Sequence, residues 1–157
     1  MPPSLTGGLI HSQGCLAQAL TPMKLPTIED NSWCLHSGEA AHATLPDSFT
    51  IPPLAERQTL QVGDAARLLF EILTLDAQGH SRANQEIMWV IVAECHPEYY
   101  IGILDEQPGC LEPSSDNYVI FGAEIPFGAE HIIEIAHPPQ DYADWQLSQK
   151  PERSWPR

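Results

Sequence analysis

The chain has 157 residues, 43% hydrophobic and 18% charged, with 15 prolines and a net charge of −14. That composition sustains a packed core and argues against global disorder, while the prolines, each of which removes a backbone donor and fixes φ, argue against a helical bundle. Between Leu25 and His137 only Arg57, Arg67 and Arg82 oppose eighteen carboxylates, a balance that repels nucleic-acid phosphates and anionic membranes and steers in a basic protein partner.

Residues 1–27 read as a loose N-terminal extension. They begin with Pro-Pro and show no periodicity, and Met23 is expected as the natural start. Ser32–Leu35 reads as a short strand. Ser37 then caps a helix over Ser37–Ala43, favoured by Glu39 in the first turn and three alanines. Pro52-Pro53 breaks any strand there, and a helical turn is expected within Leu54–Leu60.

Val62-Gly63-Asp64 is a tight turn into a strand over Ala66–Leu75. Leu68, Phe70 and Ile72 lie on one face, with Leu69 and Leu73 among polar residues on the other, as in a central strand. Residues 76–85 carry turn chemistry throughout. Glu86–Cys95, rich in Val, Ile and Trp, is the strongest strand. His96-Pro97-Glu98 reverses the chain, so that Tyr99–Leu104 completes a hairpin. A polar loop over 105–117 follows, then short strands at Tyr118–Phe121, at Gly122–Phe127 and at Ile132–Ile135. Pro126 confines the second of these to a sheet edge. Pro138-Pro139 closes the domain, and residues 138–157 read as a polar tail.

The fold expected is therefore mainly β: a small, strongly bent antiparallel sheet or partly closed barrel with one or two short N-terminal helices. A single domain spans 28–137. No apolar run approaches the ~18 residues of a membrane span. No basic-then-apolar leader opens the chain, so a cytoplasmic location is expected.

Candidate chemistry is sparse. Cys34, His36 and His42 approach a metal-ligand spacing but lack the paired ligands of structural zinc, so surface histidines and a buried thiol are expected. Cys95 or Cys110 with His96 or His131 is a conceivable nucleophile and base. Acidic surroundings oppose a thiolate, and Cys95 is expected in the core. No GxxxxGK[ST] or GxGxxG phosphate loop occurs. No catalytic residue, cofactor or metal is assigned. Trp89, Tyr99 and Tyr100 are expected to cluster on the hairpin with one tyrosine pointing outward. With Asp105, Glu106 and Asp116 in the adjoining loop, Tyr99 and Tyr100 form the candidate partner-binding residues.

The succession Trp33, Ser37–His42, Leu60-x-x-Gly63-Asp64, Leu68–Glu71, Met88-Trp89-Val90, Tyr100–Asp105 with Pro108, Gly122-x-Glu124 and Glu130–Ile132 resembles small bacterial domains in which a Gly-Asp turn, a Met-Trp-Val strand and a Gly-x-Leu hairpin succeed one another. The resemblance covers about residues 33–135. It departs at Gln85–Met88, where an arginine is missing, and at Glu106, which stands where an asparagine is common. Related domains occur among the immunity proteins of polymorphic toxin systems. The resemblance thus implies a cytoplasmic bacterial protein that binds another protein such as a toxin, and it carries no catalytic residues over. Together with the acidic charge and the lack of an active-site signature, the function expected is a non-enzymatic module that binds a basic protein. An accessory or structural domain without a toxin partner is the alternative, and an enzyme with an unrecognised site is the third.

Overall fold

The computed structural model describes residues 23–157. Two short helical segments bracket the first strand: α1, Ile28–Asn31, whose Asp30 N–H donates to the Thr27 hydroxyl at 3.1 Å, and α2, Gly38–Thr44, capped by Ser37. Between them runs β1, Trp33–His36, and α3, Leu54–Arg57, follows. The sheet continues through β2, Ala65–Leu75; β3, Ser81–Cys95; β4, Tyr100–Leu104; β5, Glu124–Phe127; and β6, Ile132–Ala136.

All pairings are antiparallel, in the order β1-β2-β3-β4-β5, with β6 also on β2. β2 holds two partners on one side. β1 pairs with its C-terminal half, from Leu69 to Ile72, and β6 with its N-terminal half, from Ala65 to Leu68. β5 and β6 thus lie at opposite ends of the strand order, yet residues 128–131 alone join them, a reach of at most about 18 Å. That connection holds the sheet in a curl, giving the expected bent, half-closed barrel. β5 lies at the edge, as Pro126 requires.

The concave side is the core. Leu68, Phe70 and Ile72 of β2, Met88, Val90 and Val92 of β3, and Ile125 and Phe127 of β5 all point into it. Trp33 is fully buried there, stacked on Phe70 and on Tyr118 with centroids 6.1 and 5.7 Å away. Gly102 faces the same space. A Cβ on it would lie 2.8 Å from Val90 Cγ2 and 3.1 Å from Phe127, so only glycine admits that packing.

Several expectations are corrected. The β2–β3 turn occupies only 76–80, where Asp76 Oδ1 accepts from the N–H groups of Gln78 and His80, and β3 resumes at Ser81. Ser81 and Arg82 are polar because this end of the hairpin stands in solvent, not because they turn. Tyr118–Phe121 is no strand: consecutive turns close from Ile120 to Tyr118 and from Ala123 to Ile120, and Gly122 at φ 90° ends them. Cys95 is exposed at the end of β3, its thiol donating to the Leu60 carbonyl at 3.3 Å.

The stretch expected as a polar tail, 138–157, packs onto the sheet. Gln140–Ser148 forms α4, which sets Ala143 on the convex side against Ala65 and Ile91. The chain then returns so that Arg153 bridges Ala123 beside β5 and Trp155 enters the main core. Of the expected extension, residues 1–22 lie outside the described residues. Thr27 caps α1 and Met23 packs against the core.

Candidate binding surface

At one end of the half-barrel a cleft of about 800 Å³ opens between the β3–β4 turn, the chain just after α3 and the 3-10 turn Ala129–His131. Glu39, Glu98 and Glu130 supply its charge, and His96 and Tyr99 its aromatic wall. Among the described residues, no lysine or arginine lines it. A carboxylate only accepts when ionised, so the cleft is matched to ammonium and guanidinium groups.

The aromatic wall is built by the hairpin. The His96 N–H donates to the Tyr99 carbonyl at 2.9 Å, closing the reversal that Pro97 and Glu98 turn. The two rings then stack at 4.3 Å, 15° from parallel. A bulge in β3 sets what lies behind them. Val92 pairs with Gly102 but Glu94 with Ile101, so Ala93 is the extra residue. Without it, strand alternation would turn Glu94 toward the core with Val90 and Val92. Glu94 instead reaches His96 Nε2 at 2.8 Å and pairs with the guanidinium of Arg157. Arg157 also pairs with the buried Glu124 at 2.9 Å. Hydrogen bonds from Arg157 foremost hold both carboxyls below their ordinary pKa. The last residue of the chain therefore orders the histidine on which Tyr99 lies.

The floor is held by Arg57, which is buried. Its Nη1 donates to Glu39 at 2.7 Å and to the Ala129 carbonyl at 2.8 Å, and its Nε donates to the Pro52 carbonyl at 2.8 Å. Glu39 is thus neutralised from below, whereas Glu98 and Glu130 stand exposed at the rim. His131 is buried beneath Glu130 and accepts from the Gly128 N–H at 2.9 Å; burial lowers its pKa.

The six aromatic and acidic residues singled out on the hairpin and its loop are not one cluster. Of the six, Tyr99 and Tyr100 line the cleft, and Tyr99 is the one stacked on His96 in its wall. Tyr100 is the inward tyrosine: it stacks on Phe127 at 5.2 Å, and its hydroxyl donates to the Arg57 carbonyl at 2.8 Å. It forms the cleft's buried back, not an exposed handle. Asp105 and Glu106 lie beyond the far end of β4, roughly 17 Å of strand away. Asp105 accepts from Tyr142 and Gln146 of α4, both at 2.7 Å, and Glu106 accepts from the Trp89 N–H at 2.7 Å. Asp116 is exposed in the 105–117 loop. Trp89 turns to the convex side, beside the cluster under α4, with the Arg67 guanidinium 5.6 Å from its ring.

Neither Cys95 nor Cys110 has an activating charge. The Cys95 thiol is partly covered where it meets the Leu60 carbonyl, though the residue as a whole is exposed; that desolvation first, and then Asp64, raises its pKa. Burial, followed by the hydrogen bond to Glu86, raises that of Cys110 to about 11. Both remain thiols at neutral pH, when nucleophilic attack needs the thiolate. Glu86 spends its own charge locally. Burial would raise its pKa, but the N–H groups of Gly109 and Cys110, 3.0 and 2.9 Å away, outweigh that and lower it.

Comparison with protein-family models, curated proteins and solved structures finds no match to this chain. The fold and site define a mainly β, half-barrel protein with an acidic cleft at its hairpin end. Sequence reasoning missed Glu98, Glu130 and Arg157 as parts of that cleft or its support. A Pro-Glu dipeptide in a hairpin turn marks Glu98 as exposed. Arg157 carries no local signal, since its partners lie 33 and 63 residues away.

Proposed function

We propose that this protein is a non-enzymatic protein-binding module whose acidic cleft receives a basic protein, and that this partner is a toxin it neutralises in the manner of immunity proteins. The observation that carries the reading is the cleft itself: Glu98 and Glu130 stand exposed at its rim beside a stacked Tyr99–His96 pair, Arg57 is already committed to Glu39, and no lysine or arginine lines the cleft among the described residues. Solvent-exposed ion pairs contribute only about 0.2–1 kcal/mol each. The glutamates therefore serve encounter rate and selectivity, and the aromatic pair serves as the anchor that holds a docked partner. The toxin assignment rests on the sequence resemblance.

The test is affinity capture at physiological salt with three proteins: the native chain, Glu98→Lys/Glu130→Lys, and Glu112→Lys/Asp141→Lys, which makes the same change in charge away from the cleft. The proposal expects a basic partner retained by the first and third and lost by the second. Equal loss in both variants would reduce the interaction to net charge and contradict it.

A further inference from the structure

A second group of side chains lies outside the cleft lining, on the outward face of β1 and β2. We propose that Cys34, His36 and Glu71 form a binding site for one divalent transition-metal ion of the zinc class, with the fourth position open to water or an added ligand.

The strand register builds it. Cys34 lies directly opposite Glu71, and His36, two residues along β1, shares the outward face with Cys34 while Trp33 and Leu35 turn inward. One ligand atom from each of the three residues falls within 4.8 Å of the other two, and His36 Nε2 is 2.9 Å from Glu71 Oε1. Bonds of about 2.0–2.3 Å to a tetrahedral zinc ion put its ligand atoms roughly 3.3–3.7 Å apart. The thiol must therefore close by no more than roughly 1.5 Å and the His–Glu pair open by less than that, within the freedom of side chains that are not fully packed. All three sit on hydrogen-bonded strands, which fixes their Cα positions.

The donor set has the right chemistry. Thiolate, imidazole and carboxylate together suit a borderline ion such as Zn²⁺ over Mg²⁺ or Ca²⁺, which take oxygen ligands. Two anionic ligands balance a divalent charge. His36 is 44% exposed and Glu71 23%, so an ion has a direct path in. Without metal, burial first and then Glu71 and Glu29 keep Cys34 a thiol, so binding releases its proton to solvent. A His–Glu hydrogen bond at a half-exposed position contributes little by itself and gives no reason for a thiol beside it. His42, the third ligand suggested by sequence spacing, is engaged elsewhere, its Nδ1 2.6 Å from the Phe49 carbonyl. Glu71, thirty-five residues from His36, takes its place.

Cobalt(II) is the probe, because a thiolate ligand gives it a charge-transfer band and four-coordination gives intense visible bands. The full chain, freed of metal with a chelator, is titrated with Co²⁺. We expect both features to saturate at one equivalent and to vanish on adding Zn²⁺. Cys34→Ser abolishes the charge-transfer band, while Cys15→Ser, Cys95→Ser and Cys110→Ser keep it. His36→Gln and Glu71→Gln weaken binding by at least about tenfold, since loss even of an outer-shell partner of a metal ligand has that effect. Circular dichroism of each metal-free variant reports whether it is folded. A folded native chain with no charge-transfer band, or a band that survives Cys34→Ser, overturns the proposal.

Discussion

The indole Nε1 of Trp155 donates to the carbonyl of Lys24 at 2.8 Å, joining residues 131 positions apart. The ring packs edge-on against Trp33 and Tyr118, at 5.7 and 5.4 Å, and the Trp155 N–H donates to buried Glu124. The C-terminal segment is therefore part of the core and not an appendage. Trp155→Ala is expected to lose about 3–5 kcal/mol, the cost of emptying a large buried aromatic site. Trp155→Phe keeps most of the packing and forfeits the indole hydrogen bond, worth about 0.5–1.5 kcal/mol. Denaturant midpoints of the two variants check the order; equal, small losses would mean that the ring is not packed as described.

Gly102 tests the curl of the sheet. An added methyl would press on Val90 and Phe127, strands that flank β4 on either side. Gly102→Ala should destabilise by about 1–3 kcal/mol through overpacking. Ordinary strand behaviour would instead make alanine the better residue by roughly 0.5–1 kcal/mol. The sign of the change in a urea titration decides between a tightly wrapped sheet and a loose one.

Acid should destabilise the protein in two stages. His131 has a folded pKa below its unfolded value of about 6.5, chiefly because it is buried. Its contribution is complete above that value and is lost as pH falls through it toward the folded pKa. Glu86, Glu94 and Glu124 also have folded values below the unfolded carboxylate value of about 4.3. Their contribution is complete above that value and disappears as pH falls through their folded pKa values. Stability measured against pH should thus decline first below about pH 6.5 and again below about pH 4.5. His131→Gln removes the first stage. Arg157→Gln shrinks the second and lowers stability at neutral pH by about 1–3 kcal/mol, because Glu124 keeps its buried position without its cation.

The strands were legible where side chains alternate and turns carry their own chemistry. Leu68, Phe70 and Ile72 announce β2, Ser37 announces α2, and Pro126 announces an edge. The bulge at Ala93 was not legible, because an extra residue changes register without changing composition, and it is this residue that turns Glu94 toward His96. The C-terminal helix was legible but misread. Pro138-Pro139 ahead of Asp141 is a helix start as well as a domain end, and a lone tryptophan in a polar stretch is a packing signal. The cleft depends on Glu39, Glu98 and Glu130, which lie on three separate segments. Only the closed fold brings them together, and the sequence alone showed only that most of the charge lies between residues 25 and 137.

The central claim is that a protein partner docks at the hairpin-end cleft, and site-specific crosslinking tests it most directly. A photoreactive phenylalanine analogue replaces Tyr99 in one version of the chain and the exposed Asp141 of α4 in another. Illumination in the native cell extract should join a basic protein to the chain carrying the analogue at 99 and not to the one carrying it at 141. Crosslinks from position 141 alone, or none from position 99 while the native chain still captures its partner, would contradict the account.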